Sequence, residues 1–279
     1  MEQDGLLVGT MKELRNVKGV KALVLGGSRA RGTNSLKSDF DICLYYDPDD
    51  PLDMDHLSEV ATRLDDEHRS GVVTRLGGWG PWINGGGWLR VQHQPVDLIY
   101  RNLVSVWRVV EDCHNGKVQV YYQPGHPFGF VSSIYMAELA VCRPLWDPQG
   151  IVARGKQATD PYPRALQKAL IDLFFWEADF SLKNGYKAVE LFDVPYLGAC
   201  IFRSTGCLLQ VLFALNEHYW LNEKGALSIA EKFPFKPEQL TERINYAYRL
   251  LAINPKQAQE ALDGMEGLVR EVRELIAQC

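Results

Sequence analysis

Two short apolar runs on either side of a glycine turn constrain this fold more than any other feature. Val20–Leu25 and Phe40–Tyr46 each have the length and the apolar content of a buried strand. Between them, Gly26 and Gly27 begin a polar segment and allow the backbone to approach a ligand closely. A helix that begins near Ser28 would direct free backbone N–H groups at an anion. The stretch therefore predicts a strand, a phosphate-binding turn and a second strand in succession.

Two aspartates at the start of the second run indicate a metal site. Asp39 and Asp41 are two residues apart, so on a strand their side chains project from one face. Neighbouring carboxylates repel each other unless a cation lies between them, and hard oxygen ligands suit magnesium. A phosphate turn beside such a pair would hold a nucleoside triphosphate with its magnesium ions, which predicts phosphoryl or nucleotidyl transfer.

The alternative is a glycine-rich hairpin with solvated aspartates, since Asp and Gly are common in turns. Residues 42–45, which follow Asp41, are Ile-Cys-Leu-Tyr. An unpaired carboxylate inside such an apolar strand is costly, which favours the metal site.

The same residues resemble a known signature. Gly27-Ser28-Arg29-Ala30-Arg31-Gly32 followed by Ser38-Asp39-Phe40-Asp41 is similar to the GSxxxG…DxD pattern of the DNA polymerase β-like nucleotidyltransferase superfamily. Its nearest likeness is to the enzymes that modify aminoglycosides and lincosamides, and to the short MNT domains. The resemblance implies an α+β fold with an N-terminal mixed sheet flanked by helices, and a Mg²⁺-dependent transferase. The expected nucleotide is ATP, with two Mg²⁺ ions.

The resemblance implies three catalytic and metal-binding carboxylates. Asp39 and Asp41 would bind both the nucleotide's metal and the catalytic metal. Asp97, a lone acid in the apolar run Val96 to Ile99, lies where the superfamily places its third carboxylate. It would bind the catalytic metal and is a candidate for the general base. The alternative for Asp97 is a carboxylate that is hydrogen-bonded to backbone.

The phosphate-binding residues follow from the same motif. Gly26 and Gly27 open the turn, and Gly27 and Ser28 would hold the β- and γ-phosphates through backbone N–H and hydroxyl groups. Arg29 and Arg31 add positive charge nearby, although an arginine beside a turn is about as often a surface residue. Arg31 fits the family pattern slightly better.

Two residues outside the motif are weaker candidates. Glu138 is an alternative base, because some small-molecule nucleotidyltransferases supply a glutamate outside the aspartate triad; otherwise it is a solvated helix residue. Lys224 lies between two predicted helices of the second half, from which a basic side chain could reach the triphosphate.

A glycine- and tryptophan-rich loop over residues 77–88 has two interpretations. It closes over a nucleotide and stacks a base on Trp79 or Trp82, or its tryptophans pack on the sheet while its glycines form a hairpin.

Periodicity predicts the elements around the motif. A first helix spans about residues 4–16, and a second runs through Leu57 to Leu64 and ends in a solvated charged run, residues 65–69. Strands are predicted at 72–76, 89–93 and 96–100.

The second half of the chain changes character. Apolar residues recur at helical spacing in four segments that begin near Leu166, Leu208, Leu240 and Met265. We therefore predict a nucleotidyltransferase domain over residues 1–150 and an all-α helical bundle over residues 151–279. Helical domains of this kind help to form the acceptor site in the antibiotic-modifying enzymes, which implies the same role here.

Composition excludes several classes of protein. The formal net charge of −5 gives no basic field, so a duplex nucleic acid is disfavoured as substrate. No run of 18 apolar residues and no signal peptide is seen, which predicts a cytoplasmic protein that neither crosses nor binds a membrane. The six cysteines form no CxxC pair and are predicted to be buried free thiols.

Three functions remain at this point. The first is transfer of AMP to a hydroxyl of a small molecule, such as an aminoglycoside or lincosamide antibiotic. The second is a protein-modifying, AMPylating enzyme of the MNT type. The third is a non-catalytic nucleotide-binding or antitoxin-like partner, which the complete aspartate triad disfavours. The sequence carries no signal for one acceptor or for an oligomeric state.

Overall fold

A five-stranded mixed sheet organises the N-terminal part of the chain. The structure, a computed structural model, describes residues 2–32 and 38–278. Its strands are β1 Val20–Leu25, β2 Phe40–Tyr46, β3 Gly86–Val91, β4 Gln94–Asn102, β5 Val120–Tyr121, β6 Phe130–Val131 and β7 Arg143–Trp146. The large sheet has the order β3-β4-β2-β1-β7, and β5 and β6 form a separate hairpin. Within the large sheet β2 and β4 are parallel, whereas the other neighbours are antiparallel.

Helices flank this sheet and form most of the C-terminal half. They are α1 Glu2–Leu14, α2 Gly27–Ala30, α3 Met54–Leu64, α4 Leu103–His114, α5 Ile134–Val141, α6 Ile151–Gln157, α7 Arg164–Ala188, α8 Val194–Leu215, α9 Ala226–Ala230, α10 Leu240–Leu250 and α11 Pro255–Ala277. The predicted fold class, a mixed sheet flanked by helices with a C-terminal helical part, is confirmed.

The chain divides into two compact units. Unit 1 contains the large sheet and comprises Met1–Asp112, Tyr122–Gly125 and Tyr135–Pro161. Unit 2 contains α7 to α11 and the small hairpin; its ranges are Cys113–Tyr121, His126–Ile134 and Tyr162–Cys279. The assignment of separate functions to residues 1–150 and 151–279 stays a prediction.

The core of unit 1 lies between the sheet and two helices. Ile42 and Leu44 of β2 and Leu98 of β4 have no solvent exposure, as expected for central strands covered on a face by helices. Leu14 of α1 and Leu57 of α3 pack into the same cluster, also fully buried. Each such side chain contributes roughly 1.5–3 kcal/mol through burial. This packing fixes the strand ends that carry the motif.

The hairpin between β3 and β4 differs from its predicted bounds. Its turn is formed by Gln92 and His93, whose φ angles of 50° and 63° are those of a tight two-residue hairpin. The carboxylate of Asp66 accepts hydrogen bonds from both of their backbone N–H groups, at 2.8 and 2.7 Å. This long-range contact is invisible to periodicity, which predicted the turn at Gln94 and Pro95.

The strand predicted at residues 72–76 is wrong. The segment makes only an isolated bridge between Val73 and Gly87. A Cβ atom at Gly87 would lie 2.5 Å from the carbonyl oxygen of Val72, so the two backbones approach too closely for ordinary side chains. The apolar residues of this segment pack on the core without joining the sheet.

The charged end of α3 is only partly solvated, contrary to prediction. Asp65 has no solvent exposure. Its carboxylate accepts hydrogen bonds from the Arg69 guanidinium at 2.9 and 2.7 Å and from the backbone N–H of Arg90 in β3 at 2.9 Å. The Arg69 guanidinium, followed by the backbone N–H groups of Arg90 and Arg69, holds the pKa of Asp65 well below its usual range, although burial opposes the shift. Together, Asp65 and Asp66 attach the β3–β4 hairpin to the end of α3.

The core of unit 2 is formed largely by α7, α8 and α11. Leu170 and Phe174 of α7, Leu212 of α8 and Leu262 of α11 are among its buried side chains. The helix α8 is long and apolar enough to cross a membrane by length and composition, but 78% of its most apolar window is buried inside the structure. Core helices of soluble proteins pass the same test.

Buried free thiols are confirmed for five cysteines. Among the described residues, these are Cys43, Cys113, Cys142, Cys200 and Cys207. Cys279 lies outside the described residues.

We expect Asp65→Asn to destabilise the fold by about 2 kcal/mol at pH 7, because it weakens a buried hydrogen-bonded ion pair. The pKa of Asp65 is depressed in the folded state, so its stabilisation is complete above the unfolded pKa of about 3.9 and is lost as the pH falls further. Urea denaturation at a series of pH values measures both effects.

The matched control for this experiment is Glu67→Gln. Its side chain is 67% exposed and lies 3.9 Å from Arg69, so its loss should change the free energy of unfolding by less than about 0.5 kcal/mol. Equal destabilisation by both variants, or a difference that persists at acid pH, would contradict the role of Asp65.

Candidate active site

Strand register brings the first two carboxylates of the site together. Asp41 of β2 is paired with Asp97 of β4 in the parallel ladder, so both side chains lie on one face of the sheet. Asp39 comes just before β2, two residues from Asp41, and is exposed. The register therefore places the three predicted carboxylates at one end of adjacent strands.

The carboxylates influence one another electrostatically. Burial, followed by the charges of Asp41 and Asp39, raises the pKa of Asp97 to about 6. A cation between these groups would relieve the repulsion. The donor set consists of carboxylate oxygens, which are the ligands that Mg²⁺ prefers, so these residues fit the metal that the sequence resemblance implies.

The three side chains have not converged into a metal cage. In the described part of the chain, no group of three or more His, Cys, Asp or Glu side chains has the geometry of a metal site. Uncompensated like charges are expected to point apart. The backbone thus places the three aspartates at one end of adjacent strands, and rotation of their side chains would let the carboxylates coordinate a metal ion.

The glycine turn lies directly against this pair. The backbone N–H of Gly26 donates to the carbonyl oxygen of Asp41 at 2.8 Å. Gly27 has a φ of +61°, and a Cβ atom there would lie 1.8 Å from Oδ2 of Asp41. Only glycine combines this conformation with so close an approach. The predicted helix after the turn is α2, a single turn that includes Ser28.

The two arginines of the motif differ in their surroundings. Nε of Arg29 donates to the carbonyl oxygens of Ser38 and Asp39, at 3.0 and 3.1 Å, and its guanidinium lies 3.7 Å from the centre of the Phe40 ring. Arg29 therefore attaches the turn to the start of β2. Nε of Arg31 is buried and has no hydrogen-bond partner among the described residues.

Burial lowers the pKa of Arg31, whereas the charge of Asp41 opposes that shift. A guanidinium in this situation gains from an anion. Of the two arginines, Arg31 is the better placed to contact a phosphate.

Glu138 is not grouped with the aspartates. Its carboxylate accepts hydrogen bonds from Nε and Nη2 of Arg101, the first at 2.6 Å. Arg101 is 1% exposed and also donates to the carbonyl oxygen of Ile83. Burial lowers the pKa of Arg101, but the Glu138 carboxylate more than offsets this and holds it above its usual range. Glu138 is thus the counter-ion of a buried arginine, neither a solvated helix residue nor a free base.

The remaining predicted residues have separate positions. Lys224 is exposed in the turn before α9 and belongs to unit 2, and its proposed contact with the triphosphate stays a prediction. Trp82 is 8% exposed and packs on Tyr135, so it belongs to the core. Trp79 packs on Trp88, with ring centres 4.6 Å apart.

Sequence reasoning missed two neighbours of the aspartates, Trp88 and Arg90. In the antiparallel β3–β4 ladder, Trp88 is paired with Asp97 and Arg90 with Pro95. Both side chains therefore lie on the face that carries Asp97. The alternation of exposed and buried residues in β3 was the available signal, but the wrong turn position concealed the register.

The comparison with known families decides the class of this site. Residues 7–75 match the family described as nucleotidyltransferase domain. This chain contains a nucleotidyltransferase domain. The resemblance to the polymerase β-like superfamily, and the prediction of an enzyme that transfers nucleotides, are therefore confirmed. The matched span includes the glycine turn, Asp39 and Asp41, and ends before Asp97.

Other comparisons add little to this nucleotidyltransferase domain. Among the solved structures that resemble it is a nucleotidyltransferase-like protein from Exiguobacterium sibiricum 255-15. The two are 9% identical, with a TM-score of 0.46, over 99% of this chain and 78% of that chain. No curated protein sequence matches significantly.

We expect Gly27→Ala to weaken binding of a nucleoside triphosphate with its divalent metal ion, because the added methyl group displaces the Asp41 carboxylate. Its backbone strain should also lower the free energy of unfolding by about 1 kcal/mol. The matched control is Gly71→Ala, since Gly71 has a φ of +70° and a Cβ atom there would have no atom within 4 Å.

Both variants should lose similar stability, whereas only Gly27→Ala should weaken binding, by tenfold or more, corresponding to about 1.4 kcal/mol. Isothermal titration calorimetry measures the affinity, and urea denaturation measures the stability. Wild-type affinity in Gly27→Ala would show that the contact with Asp41 is unimportant.

Proposed function

We propose that this chain is a Mg²⁺-dependent enzyme that transfers AMP from ATP to a hydroxyl group of a small molecule and releases pyrophosphate. The observation that carries the proposal is the pairing of Asp41 with Asp97 beside a glycine turn that touches Asp41. The turn offers a place for phosphates, and the carboxylates offer one for their metal ions. These two features are adjacent, as nucleotidyl transfer requires.

Asp39, Asp41 and Asp97 would hold the metal ions. When bound, two Mg²⁺ ions would polarise the α-phosphate and neutralise charge on the leaving pyrophosphate. Burial and the charges of Asp41 and Asp39 raise the pKa of Asp97. Its carboxylate is therefore the group best placed to accept the proton of the acceptor hydroxyl. Glu138 is the weaker candidate for this role, because its carboxylate is paired with Arg101.

The triphosphate would lie along the glycine turn. Gly26 and Gly27 leave room for it, and Ser28 contributes its backbone N–H and hydroxyl groups. The unsatisfied Nε of Arg31 would donate to a phosphate oxygen. Arg29 would act by fixing the turn, because its guanidinium already contacts Ser38 and Asp39.

For the acceptor we propose a small molecule, with aminoglycoside and lincosamide antibiotics as the first to be tried. The helical bundle over residues 151–279 is proposed to contribute to acceptor binding, as in antibiotic-modifying relatives of this superfamily. An acidic chain with a net charge of −5 suits a small acceptor better than a duplex nucleic acid.

Pyrophosphate release tests this proposal. The protein is incubated with Mg²⁺ and each of the four NTPs, against aminoglycosides, lincosamides and a nucleotide-free cell extract. We expect release that depends on ATP and on one acceptor, and a rate at least a hundredfold lower in Asp41→Asn, because that variant removes a metal ligand.

The controls separate the alternatives. Release with the extract, together with label from α-³²P-ATP on a polypeptide, would replace the small molecule by a protein acceptor. Magnesium-dependent ATP binding without release under any of these conditions would contradict the enzyme and favour a nucleotide-binding or antitoxin-like partner.

A further inference from the structure

A pocket of about 490 Å³ lies beside Asp97, on the side of the sheet edge formed by β3. All of its lining residues belong to unit 1. They are Asp39, Glu67, Arg69, Trp88, Leu89, Arg90, Pro95 and Asp97. The pocket therefore includes two of the proposed metal ligands and extends away from the glycine turn.

The strand order arranges the site as a row. Gly26 is hydrogen-bonded to Asp41, Asp41 is paired with Asp97, and Asp97 is paired with Trp88. Neighbouring strands are roughly 4.8 Å apart, so the glycine turn and Trp88 are separated by about 14 Å. The aspartates lie between them.

Phosphoryl and nucleotidyl transfer place the attacking and leaving oxygens roughly in line across the phosphorus atom. With the β- and γ-phosphates at the glycine turn and the α-phosphate at the aspartates, the attacking hydroxyl must come from the opposite side. That side is the β3 edge. We propose that the pocket at Trp88 and Arg90 binds the acceptor, an inference that rests on the function proposed above.

Trp88 is built as a stacking surface. Its side chain is 61% exposed, which is unusual for tryptophan, yet one part of its ring packs on Trp79 at 4.6 Å between ring centres. Gly86 makes this possible, because a Cβ atom there would lie 2.6 Å from the Trp79 ring. The indole is thus held in place while much of it stays open, and it offers a face to a planar ring or a sugar.

The charges of the pocket wall indicate the chemical class of the acceptor. Arg69 is paired with the buried Asp65, and Glu67 lies 3.9 Å from the same guanidinium. Arg90 is exposed, and its side chain makes no ion pair within residues 2–32 and 38–278. Asp39 and Asp97 would bind metal ions, and Arg69 is already paired. Arg90 is therefore the lining cation that can bind an anionic group of the ligand.

The acceptor is therefore a ring-bearing alcohol that carries a carboxylate or phosphate. Its ring stacks on Trp88, its anionic group pairs with Arg90, and its hydroxyl faces Asp97. In the transfer, the hydroxyl oxygen bonds to the α-phosphorus as the bond to pyrophosphate breaks, and the hydroxyl proton passes to the Asp97 carboxylate. Of the acceptors named above, a polycationic aminoglycoside therefore fits this pocket less well than an acceptor with an anionic group.

Three p-nitrophenyl sugars of the same size test this assignment: the β-D-glucuronide, the β-D-glucoside and the 2-amino-2-deoxy-β-D-glucoside. Binding to the full chain with Mg²⁺ and α,β-methylene-ATP is followed through the indole ¹H–¹⁵N signal of Trp88. We expect the glucuronide to shift this signal and to bind at least fivefold more tightly than the other two sugars. Trp88→Ala should weaken its binding by about tenfold.

Matched variants make the test specific. Arg90→Gln should remove the preference for the glucuronide, whereas Arg15→Gln should keep it, because Arg15 is an exposed arginine that follows α1 and lies outside the pocket.

Several results would overturn the inference. A Trp88 signal that moves with α,β-methylene-ATP alone would make the pocket the nucleoside site. If none of the three sugars shifts the Trp88 signal, or if the amino sugar binds most tightly, the inference is equally refuted. ³¹P spectra of the same samples report nucleotide binding: without it the proposed function fails as well, and with it only the acceptor assignment fails.

Discussion

The parallel pairing of β2 with β4 is the constraint on which this site depends. It places Asp41 beside Asp97 on one face of the sheet, where burial and like charge raise the pKa of Asp97 to about 6. Without a bound cation this arrangement is unfavourable, since each ionised carboxylate repels the negative charge of its neighbour. The surrounding core, in which Ile42 and Leu98 are fully buried, holds the two strands in this register despite the repulsion. The folded chain thus keeps a position for cations.

Contacts on both sides of the β2–β4 pair complete the arrangement. On the β1 side, Gly27 allows the turn to touch Asp41, and Arg29 attaches that turn to the start of β2. On the opposite side, Asp65 and Asp66 bind the backbone of the β3–β4 hairpin and so fix the strand that carries Asp97. Residues that the sequence marks as solvated charges are therefore part of the support for the site.

Much of the site could be predicted because it is local in sequence. The glycine turn, Asp39 and Asp41 lie within sixteen residues, Gly26 to Asp41, and their spacing reports strand geometry directly. Asp97 was recognisable as a lone carboxylate in an apolar run. The ion pair of Glu138 with Arg101 and the stacking of Trp79 on Trp88 were not predictable, because each joins segments whose register is set only by tertiary packing. Burial of Asp65 escaped prediction for the same reason.

A crystal structure with Mn²⁺ and α,β-methylene-ATP would test the account most directly, since anomalous scattering locates the metal independently of the nucleotide. The account predicts metal peaks bounded by Asp39, Asp41 and Asp97, with the β- and γ-phosphates on the turn at Gly27 and Ser28. Metal peaks elsewhere, or phosphates bound away from the turn while the three carboxylates stay apart, would contradict it.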